Sequence, residues 1–177
     1  MKNITLVWLL VAASAWSAEA ANVKRFELNS VEALTVTVPP TIRVQFGPAA
    51  GGQPAHLIFS DTNKVCELRM VLARSPGTMT DAQIKNQLVD AGKRLLSATV
   101  EKEIKVQDLK GSIFTCFYFE LTDSRPDPLQ GSRYVLQGLG RSPTYVCEFV
   151  MLTNRKDSDV KEQILSSVRS INIQTKK

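Results

Sequence analysis

The chain has 177 residues, of which 44% are hydrophobic and 22% are charged, with a formal net charge of +5 at pH 7. This composition is typical of a globular protein and excludes a disordered chain. The basic residues are scattered, with no arginine-rich run or aromatic-basic motif, which argues against nucleic-acid binding. The net positive charge favours an anionic partner.

The first 20 residues have the pattern of a secretory signal peptide. Lys2 supplies a positive start, an apolar stretch follows from Ile4 to Ala15, and Ala18-Glu19-Ala20 is an A-x-A cleavage site. The alternative is an uncleaved anchor, but a spanning helix needs roughly 20 apolar residues. We therefore expect residues 1–20 to be removed. Residues 21–177 then form one domain, periplasmic or secreted, with no stable membrane span.

The first third of that domain has the alternation of β-strands. Apolar residues and threonines alternate over 34–38, which predicts a strand with one buried face, and Pro39-Pro40 ends it. A loop rich in glycine and proline is predicted at 47–55. Further strands are predicted at 42–46, 57–60 and 65–72.

Two helices are predicted. Thr80 and Gln83 form a capping box, and the apolar stripe that follows predicts a helix to about Ala98. A second helix is predicted to start near Asp157 or Ser158. The two stripes consist of Ile84, Leu88, Ala91 and Leu95 in the first helix, and of Val160, Ile164, Val168 and Ile171 in the second.

Between the helices, residues 100–153 predict three or four antiparallel strands. The strands are predicted at 111–122, 133–138 and 144–153, with a loop after the first and a turn at 140–143. The first and last of these strands are apolar on both faces, which is typical of strands covered on both sides. The simplest architecture is α+β, an antiparallel β-sheet packed with two main helices.

The element order also resembles a known group. A capped helix is followed by VQDLKG (106–111), a long aromatic strand, a hairpin and the closing helix ILSSVRSI (164–171). This order is similar to the PsbP-like α/β sandwich of small exported bacterial proteins. The resemblance implies a non-catalytic accessory or binding module, and it implies no specific site residues.

The single histidine limits catalysis and metal binding. His56 alone cannot supply a zinc motif that needs several histidines, and we expect neither a metal nor a cofactor. In a hairpin with a four-residue turn, Phe59 faces Cys66, and alternation then points His56 away from Cys66. We therefore expect no catalytic residues and a protein that is not an enzyme.

The three cysteines are Cys66, Cys116 and Cys147. An exported chain with three thiols can close one internal disulfide and leaves one thiol over. If residues 112–153 form a meander, a middle strand separates Cys116 from Cys147 by roughly 9 to 10 Å, beyond the disulfide limit of about 7 Å. Cys116 is then a small apolar core residue, with a disulfide partner or a reactive thiol as alternatives.

One surface is a candidate for partner binding. In the meander, the loop after the long strand and the linker before the second helix lie at the same end of the sheet. They bring together Arg125, Arg133, Arg155 and Lys156, to which an acidic partner could bind. A solvated charged rim is the alternative.

These features predict an exported, non-catalytic binding or accessory protein whose partner is a protein or an anionic macromolecule. Two alternatives stay open. One is a periplasmic immunity protein that neutralises a toxin, and the other is a small hydrolase with a non-standard serine or cysteine site.

Overall fold

The computed structural model describes residues 21–63, 65–75, 77, 79–125, 132–154 and 158–176. The predicted signal peptide lies outside these residues. In chain order, the described elements are β1 (Asn22–Glu27), β2 (Glu32–Val38), β3 (Ile42–Gly47), β4 (Ala55–Asp61), β5 (Cys66–Arg74), α1 (Asp81–Lys93), a 3-10 turn (Leu96–Ala98), β6 (Gln107–Lys110), β7 (Thr115–Thr122), β8 (Tyr134–Arg141), β9 (Tyr145–Thr153), α2 (Asp159–Arg169) and β10 (Asn172–Thr175).

The strands form two antiparallel sheets. A seven-stranded sheet has the order β3-β4-β5-β9-β8-β7-β6, and a three-stranded sheet has the order β1-β2-β10. The predicted α+β class, with an antiparallel sheet and two main helices, is confirmed. The division into two sheets was not predicted. Strand β10 was not predicted either, because its four residues, NIQT, show no apolar alternation.

The main core lies between the two sheets. The small sheet and α2 cover one face of the large sheet, where Ile164, Leu165 and Val168 of the helix are buried. The predicted alternation of β2 is confirmed, since Leu34, Val36 and Val38 all face this core. The other fully buried large side chains there include Leu57, Phe59, Leu68, Met70, Leu109, Phe149 and Met151.

Helix α1 covers part of the opposite face. Its Ile84 and Leu88 pack on the odd-numbered side chains of β7, which are Phe117, Phe119 and Leu121. The even-numbered side chains of β7 face the main core, so this strand is covered on both sides as predicted. The predicted Thr80–Gln83 capping box is present at the start of α1.

Strand β9 departs from the prediction that both faces are covered. Its odd-numbered residues are buried in the main core, but on the other face Val146 and Val150 are half-buried and Leu152 is 46% exposed. The reason is the reach of α1, which packs over β7 and β8 and ends at Lys93.

The early end of α1 has its own cause. Ile104 packs against Gly92, where a side chain would lie 2.6 Å from the Ile104 Cδ1 atom, so the following segment crosses the helix here. The backbone N–H of Leu95 bonds to the Gly92 carbonyl at 2.9 Å, and the chain continues as a tighter turn. The helix was predicted to reach about Ala98. Leu95, predicted in the buried stripe, is instead 40% exposed.

Candidate partner-binding surface

The structure places Arg125 and Arg133 at the same end of the large sheet. The Arg133 N–H donates to the Thr153 carbonyl at 3.1 Å, and its carbonyl accepts from the Asp123 N–H at 2.9 Å. Ser124, next to Arg125, bonds to the Ala98 carbonyl at 3.0 Å. The other two predicted residues of this surface, Arg155 and Lys156, lie outside the described residues.

This end of the sheet also holds most of the buried polar side chains among the described residues. Five are buried, and four of them (Asp61, Thr122, Thr153 and Lys161) belong to the strand ends and the helix start found here. The Asp61 carboxylate accepts from the N–H groups of Val65 and Cys66 at 2.7 and 2.9 Å, which closes the turn between β4 and β5. These hydrogen bonds hold the strand ends in place.

An ion pair ties α2 to β7 at the same end. The Lys161 ammonium donates to both carboxylate oxygens of Glu120, at 3.2 and 3.3 Å. The two side chains are only 11% and 21% exposed, so water screens the pair weakly. The pair therefore anchors the first turn of α2 to the sheet.

Beside this framework an apolar groove opens between the end of α1 and strand β9. A cavity of about 250 Å³ is lined by Leu95, Ala98, Val135 and Leu152, with Arg133 at its edge. We call it the α1 groove. Nearby, Val100 is 55% exposed, and its N–H bonds to the Thr122 carbonyl. Three of the six large apolar side chains that are exposed in the described chain therefore lie at this end.

Arg133 and Asp123 both line the α1 groove, and two further arginines lie near it in the chain. Arg94 follows α1, and Arg125 and Arg133 flank the turn at Asp123; all three are exposed. Within the described residues, no carboxylate lies close enough to pair with any of them. The Arg133 guanidinium lies 5.9 Å from the centre of the Tyr134 ring. The surface is thus apolar at its centre, and its rim carries Arg125 and Arg133 on either side of Asp123, whose carboxylate accepts from the Arg125 N–H at 2.8 Å.

Two of the cysteines meet in the main core. The meander prediction is confirmed, since β8 separates β7 from β9 and Gly140 lies directly opposite both Cys116 and Cys147. The two Sγ atoms are nevertheless 3.7 Å apart, because Gly140 has no side chain between them. All three cysteines are free and buried in this structure.

The same glycine corrects the predicted turn at 140–143. Strand β8 continues to Arg141, so Gly140 is a strand residue. A Cβ at Gly138 would collide with the Phe149 ring, and one at Gly140 with both sulfur atoms. The two glycines therefore serve close packing rather than a turn.

Burial disfavours ionisation of these thiols. It raises the pKa of Cys66 to about 11, against a weaker lowering by a hydrogen bond from Thr153. The pKa of Cys147 is raised, first by burial and then by the adjacent Cys116. Because the thiolate is the reactive form, both groups are poor nucleophiles at neutral pH.

His56 lies on the opposite face of the sheet from Cys66, as predicted. His56 is exposed and its ring stands over Gly47, whereas Cys66 is buried. The predicted pairing of Phe59 with Cys66 was wrong by two residues, since Phe59 pairs with Leu68. A shift of two preserves the face of every side chain. The turn is longer than expected because Asp61 caps it.

The α1 groove was not predicted from the sequence. The available signal was the apolar second face of β9, which was interpreted as covered within the chain. The groove forms because α1 stops short of that strand. The described residues include no group of three or more His, Cys, Asp or Glu side chains placed to hold a metal ion.

The architecture defines a PsbP-like fold, a two-sheet α+β sandwich with a helix on each face of the larger sheet. It is similar to the solution structure of cyanobacterial PsbP (CyanoP) from Synechocystis sp. PCC 6803, with a TM-score of 0.51 and 11% sequence identity. The match covers 92% of this chain and 99% of that chain. At this identity the likeness shows the fold alone. No family model and no curated protein matches the sequence. Among the described helices, none has the length and apolarity to span a bilayer.

Proposed function

We propose that this protein is exported, loses residues 1–20, and acts as a non-catalytic accessory protein that binds another protein through the α1 groove. The domain of residues 21–177 then works in the periplasm or outside the cell. The observation that carries this proposal is an apolar strand face that the described residues leave open, next to Arg125 and Arg133, which form no ion pair among those residues.

The apolar part supplies the affinity. Leu152 and Leu95 are large side chains at 46% and 40% exposure, and covering such groups releases roughly 25 cal/mol per Å² of apolar surface. Val135 and Ala98 line the groove together with them. Contiguous exposed apolar surface rimmed by polar residues is typical of protein-interaction sites.

The rim selects the partner. Arg125 and Arg133 favour a segment that carries a carboxylate next to one or two apolar side chains. Arginine suits this role because its planar guanidinium binds a carboxylate through two hydrogen bonds. The partner is therefore an acidic segment with an apolar centre. Arg155 and Lys156, which belong to the same predicted surface, would add to the positive charge.

The experiment is capture of partners from a periplasmic extract with tagged residues 21–177. The test variant combines Arg125→Glu with Arg133→Glu. The matched control combines Arg25→Glu with Arg43→Glu, two exposed arginines on β1 and β3 whose reversal changes the net charge equally. We expect one stoichiometric partner with wild type and with the control, and loss of it with the test variant.

Equal capture by both double variants would contradict the proposed surface. Rim charges act mainly through the association rate, so capture by wild type should also weaken as salt rises. A partner retained equally at low and high salt would contradict the role of the arginines.

A further inference from the structure

A second cleft lies at the opposite end of the large sheet, where β5 ends and β9 begins. Its volume is about 620 Å³, within the usual range for small-molecule sites. Leu28, Ala55 and Leu72 form its apolar floor and are at most 5% exposed. The mouth of the cleft carries Arg74 and Tyr145.

Arg74 is held in place although it is largely exposed. Its Nη2 donates to the Glu32 Oε2 atom at 2.5 Å, and its Nε donates to the Tyr145 hydroxyl at 3.3 Å. The guanidinium also lies 5.8 Å from the centre of the Tyr145 ring. The side chain remains 66% exposed. Three contacts thus restrict the Arg74 side chain, which would otherwise adopt many conformations in solvent. Binding residues that are fixed in this way lose less conformational entropy when a ligand binds.

The neighbouring carboxylate accepts three hydrogen bonds through one of its oxygen atoms. Glu32 Oε2 accepts from Asn29 at 2.5 Å and from the Tyr145 hydroxyl at 2.7 Å, in addition to Arg74. These hydrogen bonds, first that of Asn29 and then that of Tyr145, lower the pKa of Glu32, so it is ionised at neutral pH. Glu32 contacts Arg74 through its Nη2 group. The Nη1 group of Arg74 has no partner within the described chain and can donate to a ligand.

The opposite wall is backbone. Ala50 and Gln53 exchange both backbone hydrogen bonds, at 3.2 and 2.9 Å, around Gly51 and Gly52. These two glycines have φ values of 58° and 81°, and a Cβ on either would meet nothing within 4 Å. Two positive φ values are required by the tight turn, and the glycines leave room for a ligand to approach this wall.

We propose that this cleft binds a small organic carboxylate with an apolar body. The carboxylate pairs with Arg74 at the mouth, and the apolar part lies over Leu28, Ala55 and Leu72. A neutral ligand of the same shape lacks the charge-assisted hydrogen bonds to the free Nη1 group. This site is at the other end of the sheet from the α1 groove and does not rest on the proposed function.

The test is a titration of isotope-labelled residues 21–177 with octanoate and, separately, with its neutral isostere octanamide, followed by amide chemical shifts. We expect saturable shifts at Asn29, Arg74, Tyr145, residues 49–53 and Ala55 with octanoate, and at least about tenfold weaker binding of octanamide.

Arg74→Gln should weaken octanoate binding about tenfold or more. Arg69→Gln, which replaces a similarly exposed arginine on the same strand, should leave binding unchanged. Tyr145→Phe keeps the ring but removes one of the two hydrogen bonds that hold Arg74, so an intermediate loss is expected. Equal binding of octanoate and octanamide, shifts centred elsewhere, or no saturation would overturn the proposal.

Discussion

The sulfur atoms of Cys116 and Cys147 lie 3.7 Å apart although their strands are not neighbours. Gly140 lies between them in β8, and the missing side chain leaves the space that both sulfur atoms fill. Two strand spacings still separate the backbones, roughly 9 to 10 Å, so a disulfide would require the strands to move. The contact is therefore one of core packing.

We predict that Gly140→Ala destabilises the domain by about 2 kcal/mol, because its Cβ would lie 2.3 Å from the Cys116 sulfur. Urea unfolding measures the change. Gly77→Ala is the matched control, since its Cβ would meet nothing within 4 Å. In a Cys116→Ala background the cost of Gly140→Ala should fall by about 1 kcal/mol or more. If Gly140→Ala is equally destabilising in both backgrounds, contact with the Cys116 sulfur is not the cause of the destabilisation.

We predict that all three thiols react slowly with an aromatic disulfide reagent in the native state. Each cysteine is at most 1% exposed, and burial raises the pKa of Cys66 to about 11. In denaturant without reductant, the protein should release three thiol equivalents per chain. A yield of one equivalent would mean that two cysteines form a disulfide, contrary to the geometry described here.

We predict that the ion pair between Lys161 and Glu120 contributes to stability. Glu120→Gln removes the charge that the largely buried ammonium needs, so a loss of about 2 kcal/mol is expected. Glu103→Gln, which breaks the exposed pair with Lys105, should cost less than about 0.5 kcal/mol. Similar costs for the two variants, measured by urea unfolding, would contradict the assignment.

We predict that Glu32 makes stability depend on pH in the acid range. Its folded pKa is lowered, chiefly by hydrogen bonds from Asn29 and Tyr145, so its contribution is full above the unfolded pKa and declines as pH falls through the folded pKa. At neutral pH the free energy of unfolding of wild type should exceed that of Glu32→Gln by about 1 to 2 kcal/mol. This difference should shrink as the pH falls towards about 3. A difference that is constant with pH would contradict this role. Glu67→Gln, at an exposed pair, is the control.

Much of the fold could be predicted from local patterns. The alternation around Val36 and the Thr80 cap depend on neighbouring residues, and both were correct. The predictions were wrong where contacts with residues distant in the sequence determine the local structure. Gly140 is a strand residue because side chains from two other strands occupy its space. Leu152 is exposed because Ile104 crosses α1 at Gly92 and the helix ends there.

The candidate site was predictable in part for the same reason. A meander places Arg125 and Arg133 at one end, and chain order alone gives that result. To predict the α1 groove, one would need to know where helix α1 ends relative to strand β9. No motif in the sequence gives this information.

The most direct test of the proposed docking role is photo-cross-linking from Leu152, compared with Val31. Both side chains are large, apolar and about half exposed, but Val31 precedes β2 and lies far from the α1 groove. With a photoreactive amino acid at each position in turn, residues 21–177 would be irradiated in periplasmic extract. We predict a single cross-linked protein from position 152, joined through an acidic segment, and none from position 31. Equal cross-linking from both positions, or none from position 152, would contradict the account.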